Sequence, residues 1–266
     1  MSALPRIVLT TPQDDAHVYQ YGAHVTHYHP RGAAPVLFMS RESLFASGKP
    51  IRGGVPVIFP WFGPKQDDPA APAHGLARVS EWRVESSTQD AVTLRLDLNE
   101  YSLRYQVTIG GALRLALEVE NTSDKPVCFE EALHTYLSVS DVRKVSIEGL
   151  DGVAYLDKPN GFKRKTQSAE PIRITAETDR VYLNTRATCI VNDPGSRRRI
   201  LVEKSGSDST VVWNPWIAKA KAMPDFGDDE WERMLCIETA NVAENAITLA
   251  PGQTHTMQAM IRSESL

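Results

Sequence analysis

The sequence predicts an all-β chain, an antiparallel sandwich or barrel, on three observations. Hydrophobic residues recur at every second position in many short runs, Gly, Pro and Asp punctuate those runs, and helical periodicity is nearly absent. A period of two places successive side chains on opposite faces of a strand, so such a run buries one face and wets the other. Short strands divided by turn residues, without amphipathic helices between them, suit a sandwich or barrel rather than βαβ units.

Strands are expected near 5–10, 16–28 and 35–39. The second of these runs into HVTHYH (24–29), in which His27 and His29 share a strand face and His24 points the other way. That alternation suits a structural or surface role better than a metal site. Residues 51–78, rich in proline and glycine, break the pattern, and a strand near 81–86 follows. The runs 91–98, 102–109 and 112–120 then form the clearest block. Val92, Leu94, Leu96 and Leu98, then Leu103, Tyr105, Val107 and Ile109, then Leu113, Leu115, Leu117 and Val119 read as an antiparallel meander with one buried face. Further strands are expected near 127–139, 143–148, 170–175, 180–191, 198–203, 209–214, 233–239, 245–249 and 254–262. A helical turn or two fits only near 40–47 and 217–222. Residues 213–232 (WNPWIAKAKAMPDFGDDEWE) are long, aromatic and charged, and irregular stretches of that length in a compact protein usually carry function. No repeat or linker divides the chain, so one domain over 1–266 is the economical reading.

The composition is that of an ordinary soluble protein, 42% hydrophobic and 23% charged with a net charge of −4, and it gives no reason to expect nucleic acid as a partner. Cys128, Cys189 and Cys236 sit in strand-like apolar runs. Their odd number and the absence of CxxC spacing argue against a disulfide framework or zinc site and predict buried, reduced thiols. The N-terminal MSALPRIVLTTPQDD has neither a basic start nor an apolar run, and no stretch approaches the roughly 18 apolar residues of a membrane span. The expectation is a cytoplasmic protein, monomeric and without a membrane partner.

His134, in FEEALHTYLSV, interrupts a strand-like run. It reads either as a buried histidine satisfied by one hydrogen bond or as a general acid held on a rigid strand, with Glu130 and Glu131 tuning it or capping the solvent face. Glu238 ends the apolar run MLCIE. It is either bonded to the following turn or kept as a base with a raised pKa. Arg52 and Arg78 bracket the first irregular stretch, and two guanidinium forks can clamp a phosphate, although loop arginines are often plain surface charges. His74 beside Gly75 can line a pocket or sit idly in a loop. Asp179 can bond sugar hydroxyls or cap a turn. Trp213 and Asn214, with Trp216, offer a stacking face and an amide suited to a sugar ring, or fill the core; Lys219 and Lys221 add positive charge nearby. No phosphate-loop, dinucleotide, zinc-protease or nucleophile-elbow motif is present, and no cofactor is called for.

The segments RGGVPVIFPWFGP, HGLAR, EEALHTYL, DRVY, VVWNPW and CIETANV, in this order between residues 50 and 245, resemble the glucose-6-phosphate 1-epimerase (hexose-6-phosphate mutarotase) branch of the aldose 1-epimerase family. The resemblance implies a galactose mutarotase-like β-supersandwich that binds a hexose 6-phosphate and needs no metal. It implies that His134 is the acid protonating the ring oxygen and Glu238 the base at the anomeric hydroxyl. It further implies that Arg52, Arg78 and Asp179 bind substrate. The family often has glutamine where this chain has Ala73, a contact that Gln66 is available to replace. Competing readings are an epimerase of unphosphorylated aldoses and a non-catalytic carbohydrate-binding sandwich. A carboxylate-pair glycosidase or lyase is weaker, because no second carboxylate sits in so apolar a context as Glu238.

Overall fold

The computed structural model describes residues 4–266; residues 1–3, part of the segment read for a leader, lie outside it. It is nearly all strand. One eight-stranded sheet runs in the order Lys163–Thr166, Ala154–Asp157, Thr178–Tyr182, Ser209–Asn214, Met234–Asn241, Glu131–Leu133 and Val57–Ile58, with Tyr136–Ser138 as a further partner of Met234–Asn241. The other runs Ser146–Glu148, Cys189–Asp193, Arg198–Ser205, Thr254–Ser265, Leu113–Asn121, Tyr101–Thr108, Ala91–Leu98 and Arg83–Ser87. A three-stranded sheet (Arg6–Thr10, Asp14–Tyr19, His24–Pro30) and a pair (Val127–Phe129 with Ile247–Leu249) complete it.

The meander forms as its alternation predicts: Ala91–Leu98, Tyr101–Thr108 and Leu113–Asn121 pair antiparallel in sequence order, and Leu94, Leu103, Tyr105, Val107, Leu113 and Leu117 are fully buried. Both large sheets feed one hydrophobic cluster. Among the described residues the only α-helix is Trp216–Ala222, where 217–222 was expected; residues 40–47 form bends and turns instead. Strands expected at 35–39 and 170–175 shrink to isolated bridges at Leu37, Met39 and Ile172. Three strands were not anticipated: Val57–Ile58, two residues long among prolines, and the hairpin of Ala154–Asp157 with Lys163–Thr166, whose second strand is charged and wholly exposed. Exposure on both faces removes the period-two signal.

The three thiols are free, but only Cys189 and Cys236 are buried. Cys128 is exposed, against expectation, because Val127 and Phe129 turn inward and the residue between them must turn out. No described helix is long and apolar enough to cross a membrane.

Candidate active site

The strand Met234–Asn241 is buried along its whole length. Leu235, Cys236 and Ile237 join the hydrophobic cluster, and Cys236 and Glu238 share one face of the strand. The segment 131–138 crosses it as two short strands in one continuous register, Leu133 opposite Thr239 and Tyr136 opposite Cys236. That register sets His134 across from Glu238 at the interruption between the two strands. The break is filled from the side: the amides of His134 and Tyr136 donate to the carbonyls of Pro56 and Gly54, and Ile237 donates to Thr135. His134 Nε2 lies 3.3 Å from Glu238 Oε1, with both side chains buried. On the far side Trp213 pairs with Cys236 and Asp179 pairs with Trp213, so Asp179, Trp213, Cys236 and Tyr136 form a row across the sheet next to the His–Glu pair.

Aromatic rings wall the pair. Tyr136 stacks on His134 with centroids 4.8 Å apart, and Trp213 and His74 meet it edge-on at 5.7 and 5.8 Å. His74 has φ of 65°, and its Nδ1 accepts the Gly63 amide, which leaves the proton of the neutral ring on Nε2. Phe62 packs on its other side at 4.8 Å, and the Phe62 amide donates to Glu130.

Four cations surround this cluster. Arg52 donates to Asp225 Oδ2 from Nε (3.2 Å) and Nη2 (3.0 Å), and to the Tyr136 hydroxyl from Nη1 (3.1 Å). Arg78 is buried, donates to the carbonyl of Ala73, and has no carboxylate partner. Burial without an anion lowers its pKa to about 10. Lys158 Nζ is 3.0 Å from Asp179 Oδ2; Lys219 is 4.0 Å from the same atom and bonded to Glu177 at 2.9 Å.

Burial dominates the protonation states. It pushes the His134 imidazole well below its ordinary range, and His74, Arg78 and Arg52 push the same way. It lifts the Glu238 carboxyl well above the carboxylate range; Asp179 adds to the rise, while Lys158 and Arg78 oppose it. Burial therefore disfavours an ion pair here and favours a neutral imidazole facing a protonated carboxyl. His134 Nδ1, Glu238 Oε2 and Arg78 Nε have no hydrogen-bond partner although buried. Such atoms usually cost about 1–3 kcal/mol each, and three in one site mark a surface shaped for a polar ligand.

The structure thus brings together His134, Glu238, Arg52, Arg78, Asp179, His74 and Trp213. Asn214 departs from the expected sugar contact. Its Nδ2 donates to the carbonyls of Trp231 (2.8 Å) and Met234 (2.9 Å), and its Oδ1 accepts the Trp216 amide, so the whole amide is spent holding the helix and the loop behind it. Glu130 and Glu131 do not touch His134. Glu130 ties Phe62 to the Ala243 amide, and Glu131 is buried against Asn241 and His255 instead of facing solvent. Gln66 and Lys221 are exposed. Lys158, Tyr136 and Asp225 were not singled out in the sequence. Tyr136 was legible, two residues from His134 on the same face; Lys158 arrives only through sheet order, in a turn with no motif of its own. His134, Cys236 and Glu238 offer atoms within 4.8 Å of one another, a possible ligand set by distance. Burial, however, pushes the Cys236 thiol and the Glu238 carboxyl up towards their protonated forms, which works against metal binding there.

The profile of the aldose 1-epimerase family matches residues 5–262. This chain belongs to the aldose 1-epimerase family. Within the epimerases it is 34% identical to a protein of Cenchrus ciliaris over 95% of this chain and 82% of that one. It is 33% identical to a protein of Escherichia coli K12 over 98% and 91%. Both relatives carry the provisional name glucose-6-phosphate 1-epimerase. Among solved epimerase-family structures, a provisionally named mutarotase of Salmonella typhimurium superposes with a TM-score of 0.91 at 28% identity, over all of this chain and 92% of that one. A galactose mutarotase-related enzyme of Lactobacillus acidophilus (0.78, 14% identity, 98% of each chain) shares the fold.

Proposed function

We infer that the chain interconverts the α and β anomers of a hexose 6-phosphate by acid–base ring opening, with glucose 6-phosphate the first candidate. The observation that carries this reading is the buried contact of His134 Nε2 with Glu238 Oε1 at 3.3 Å, which puts two groups suited to acid and base roles side by side. Moving one proton from carboxyl to imidazole produces the pair that opens the ring. Glu238 carboxylate then takes the proton from O1 while His134 imidazolium gives one to O5, and the C1–O5 bond breaks. The aldehyde rotates about C1–C2. The pair is now carboxyl and neutral imidazole, which is the form that closes the ring: Glu238 returns a proton to the carbonyl oxygen as His134 takes one from the O5 hydroxyl. Protons balance, and no electron leaves the sugar. Each positioned proton transfer is worth about 10²–10⁴ in rate.

The preference for a phosphorylated sugar rests on Arg78, a buried guanidinium with one unpartnered nitrogen and no carboxylate, which an anionic group would complete. Arg52, already braced by Asp225 and Tyr136, presents its charge in a fixed orientation beside it. Holding a remote phosphate positions the reacting carbon without restraining its rotation. Asp179 and His74 would bond sugar hydroxyls, and Trp213 would carry the ring's C–H face. The soluble, cytoplasmic, monomeric setting belongs to this same proposal.

The test is the relaxation of freshly dissolved α-glucose 6-phosphate towards its β anomer, followed by NMR with catalytic protein, beside free glucose and galactose. Acceleration of the phosphorylated sugar, lost on Arg78→Met, is the expected result. Acceleration of the free sugars alone would keep the His–Glu chemistry and remove the phosphate. Acceleration of none would leave a carbohydrate-binding sandwich.

A further inference from the structure

Four of the seven histidines lie between residues 17 and 29, and the site just described uses none of them directly. His24 is accounted for: it is buried, and its Nε2 lies 2.7 Å from the Gly53 carbonyl, propping the turn beside Arg52. The other three gather with Asp15 on the outer face of the three-stranded sheet. Asp14–Tyr19 and His24–Pro30 pair so that Asp15 stands opposite His29 and His17 opposite His27. These pairs stand in one regular register, so Asp15, His17, His27 and His29 share a face; the register shifts only beyond them, between His17 and Val18. The sequence alone placed His27 and His29 on one face but did not show the carboxylate delivered by the neighbouring strand.

We propose that Asp15, His27 and His29 form a binding site for a divalent transition-metal ion of the zinc type, distinct from the epimerase site. His27 Nε2 is 2.9 Å from Asp15 Oδ2, and His29 Nδ1 is 4.0 Å from Asp15 Oδ1, so the one carboxylate reaches towards both rings. One donor atom from each residue falls within 4.8 Å of the others. Zinc bonds of about 2.0–2.1 Å to nitrogen and oxygen place tetrahedral ligand atoms about 3.4 Å apart, between the two distances observed. The half-exposed side chains close that difference by small rotations. His29 is already oriented for the task, since its Nε2 lies 2.8 Å from the Ala33 carbonyl. Donating there leaves the Nδ1 lone pair facing Asp15, the outer hydrogen bond that histidine ligands usually make. His17 stacks on the His27 ring with centroids 4.7 Å apart and fixes its plane. The backbone beneath is rigid, because Asp14–Tyr19 is the central strand, bonded on both sides. Two imidazoles and a carboxylate select zinc, cobalt, nickel or copper over magnesium or calcium. Three protein ligands leave the fourth position to water, and the bound ion would clip the second and third strands together.

The experiment is a titration of the full, untagged chain, stripped with chelator, with Zn²⁺ by calorimetry and with Co²⁺ by visible absorbance. One equivalent should bind at micromolar or tighter affinity, with a tetrahedral cobalt spectrum and a rise in Tm on adding zinc. His27→Gln and His29→Gln, checked for folding by circular dichroism, should each weaken binding by about 10-fold or more, with anomerase activity unchanged. Binding no tighter than millimolar would overturn the proposal. So would tight binding unaffected by either variant, which would place the ion elsewhere.

Discussion

At the scale of the residue, the proposed reaction turns on where one proton sits. Burial alone would neutralise both His134 and Glu238, and it moves them in opposite directions: the imidazole loses its proton more easily and the carboxyl holds its own more tightly. The pair therefore keeps a single proton over a wide range of pH. A second is added only below the ordinary histidine range, and the last is lost only above the ordinary carboxylate range. Because the two groups are coupled, both limits belong to the pair. The profile of kcat/KM against pH should accordingly be a broad plateau across neutrality, falling in acid as the pair becomes doubly protonated and in alkali as it loses its proton. A profile centred on an unperturbed histidine, near 6.5, would contradict this assignment. Asn214 marks the limit of reading residues singly: an amide beside two tryptophans looked like a sugar contact, and only the fold shows that the backbone of Trp231, Met234 and Trp216 uses all of it.

At the scale of the element, the site exists because one buried strand and one interrupted strand share a register, and the interruption is filled by a glycine-bearing loop. Gly54 is the tightest link. It sits at φ 60°, its carbonyl receives the Tyr136 amide, and a Cβ there would lie 2.2 Å from the Val25 carbonyl oxygen. Gly54→Ala combines left-handed strain with a backbone clash, and should cost about 2 kcal/mol or more. Urea unfolding would register that loss, and kcat should fall with it as Arg52 and Tyr136 shift; an unchanged midpoint would show that the loop yields. Elements with one buried face were legible in advance, as the meander from residue 91 to 121 shows, and the strand Ser209–Asn214, buried on both faces, was legible as a short apolar run. The hairpin carrying Lys163–Thr166 was not, because a strand exposed on both faces has no period. His134 and Glu238 were legible because a polar residue inside an apolar run needs a reason. Lys158 was not, because nothing in its turn distinguishes it until Thr178–Tyr182 and Ala154–Asp157 are seen side by side.

At the scale of the whole molecule, the site around His134 and Glu238 holds three unpartnered buried polar atoms, His134 Nδ1, Glu238 Oε2 and Arg78 Nε, the last on a guanidinium without a carboxylate partner, and these are local costs the rest of the core must offset. A phosphorylated sugar should repay them. Any ligand that binds only the folded state raises stability by RT ln(1 + [L]/Kd), about 2.7 kcal/mol at a hundred times Kd. Glucose 6-phosphate should therefore raise Tm by several degrees, free glucose should do so less, and Arg78→Met should abolish the difference between them. Equal shifts for the two sugars would remove Arg78 from phosphate recognition.

The most direct test of the central claim is the α–β exchange rate of glucose 6-phosphate with wild-type protein and with Glu238→Gln, measured by NMR magnetisation transfer. The amide keeps the shape of the carboxyl but cannot accept a proton, and it removes a carboxyl that burial disfavours in its ionised form. The account predicts a fall in kcat of about 10²–10⁴ with Tm equal to or above that of the wild type. A variant that stays folded and exchanges the anomers within a few-fold of the wild-type rate would show that Glu238 is not the base.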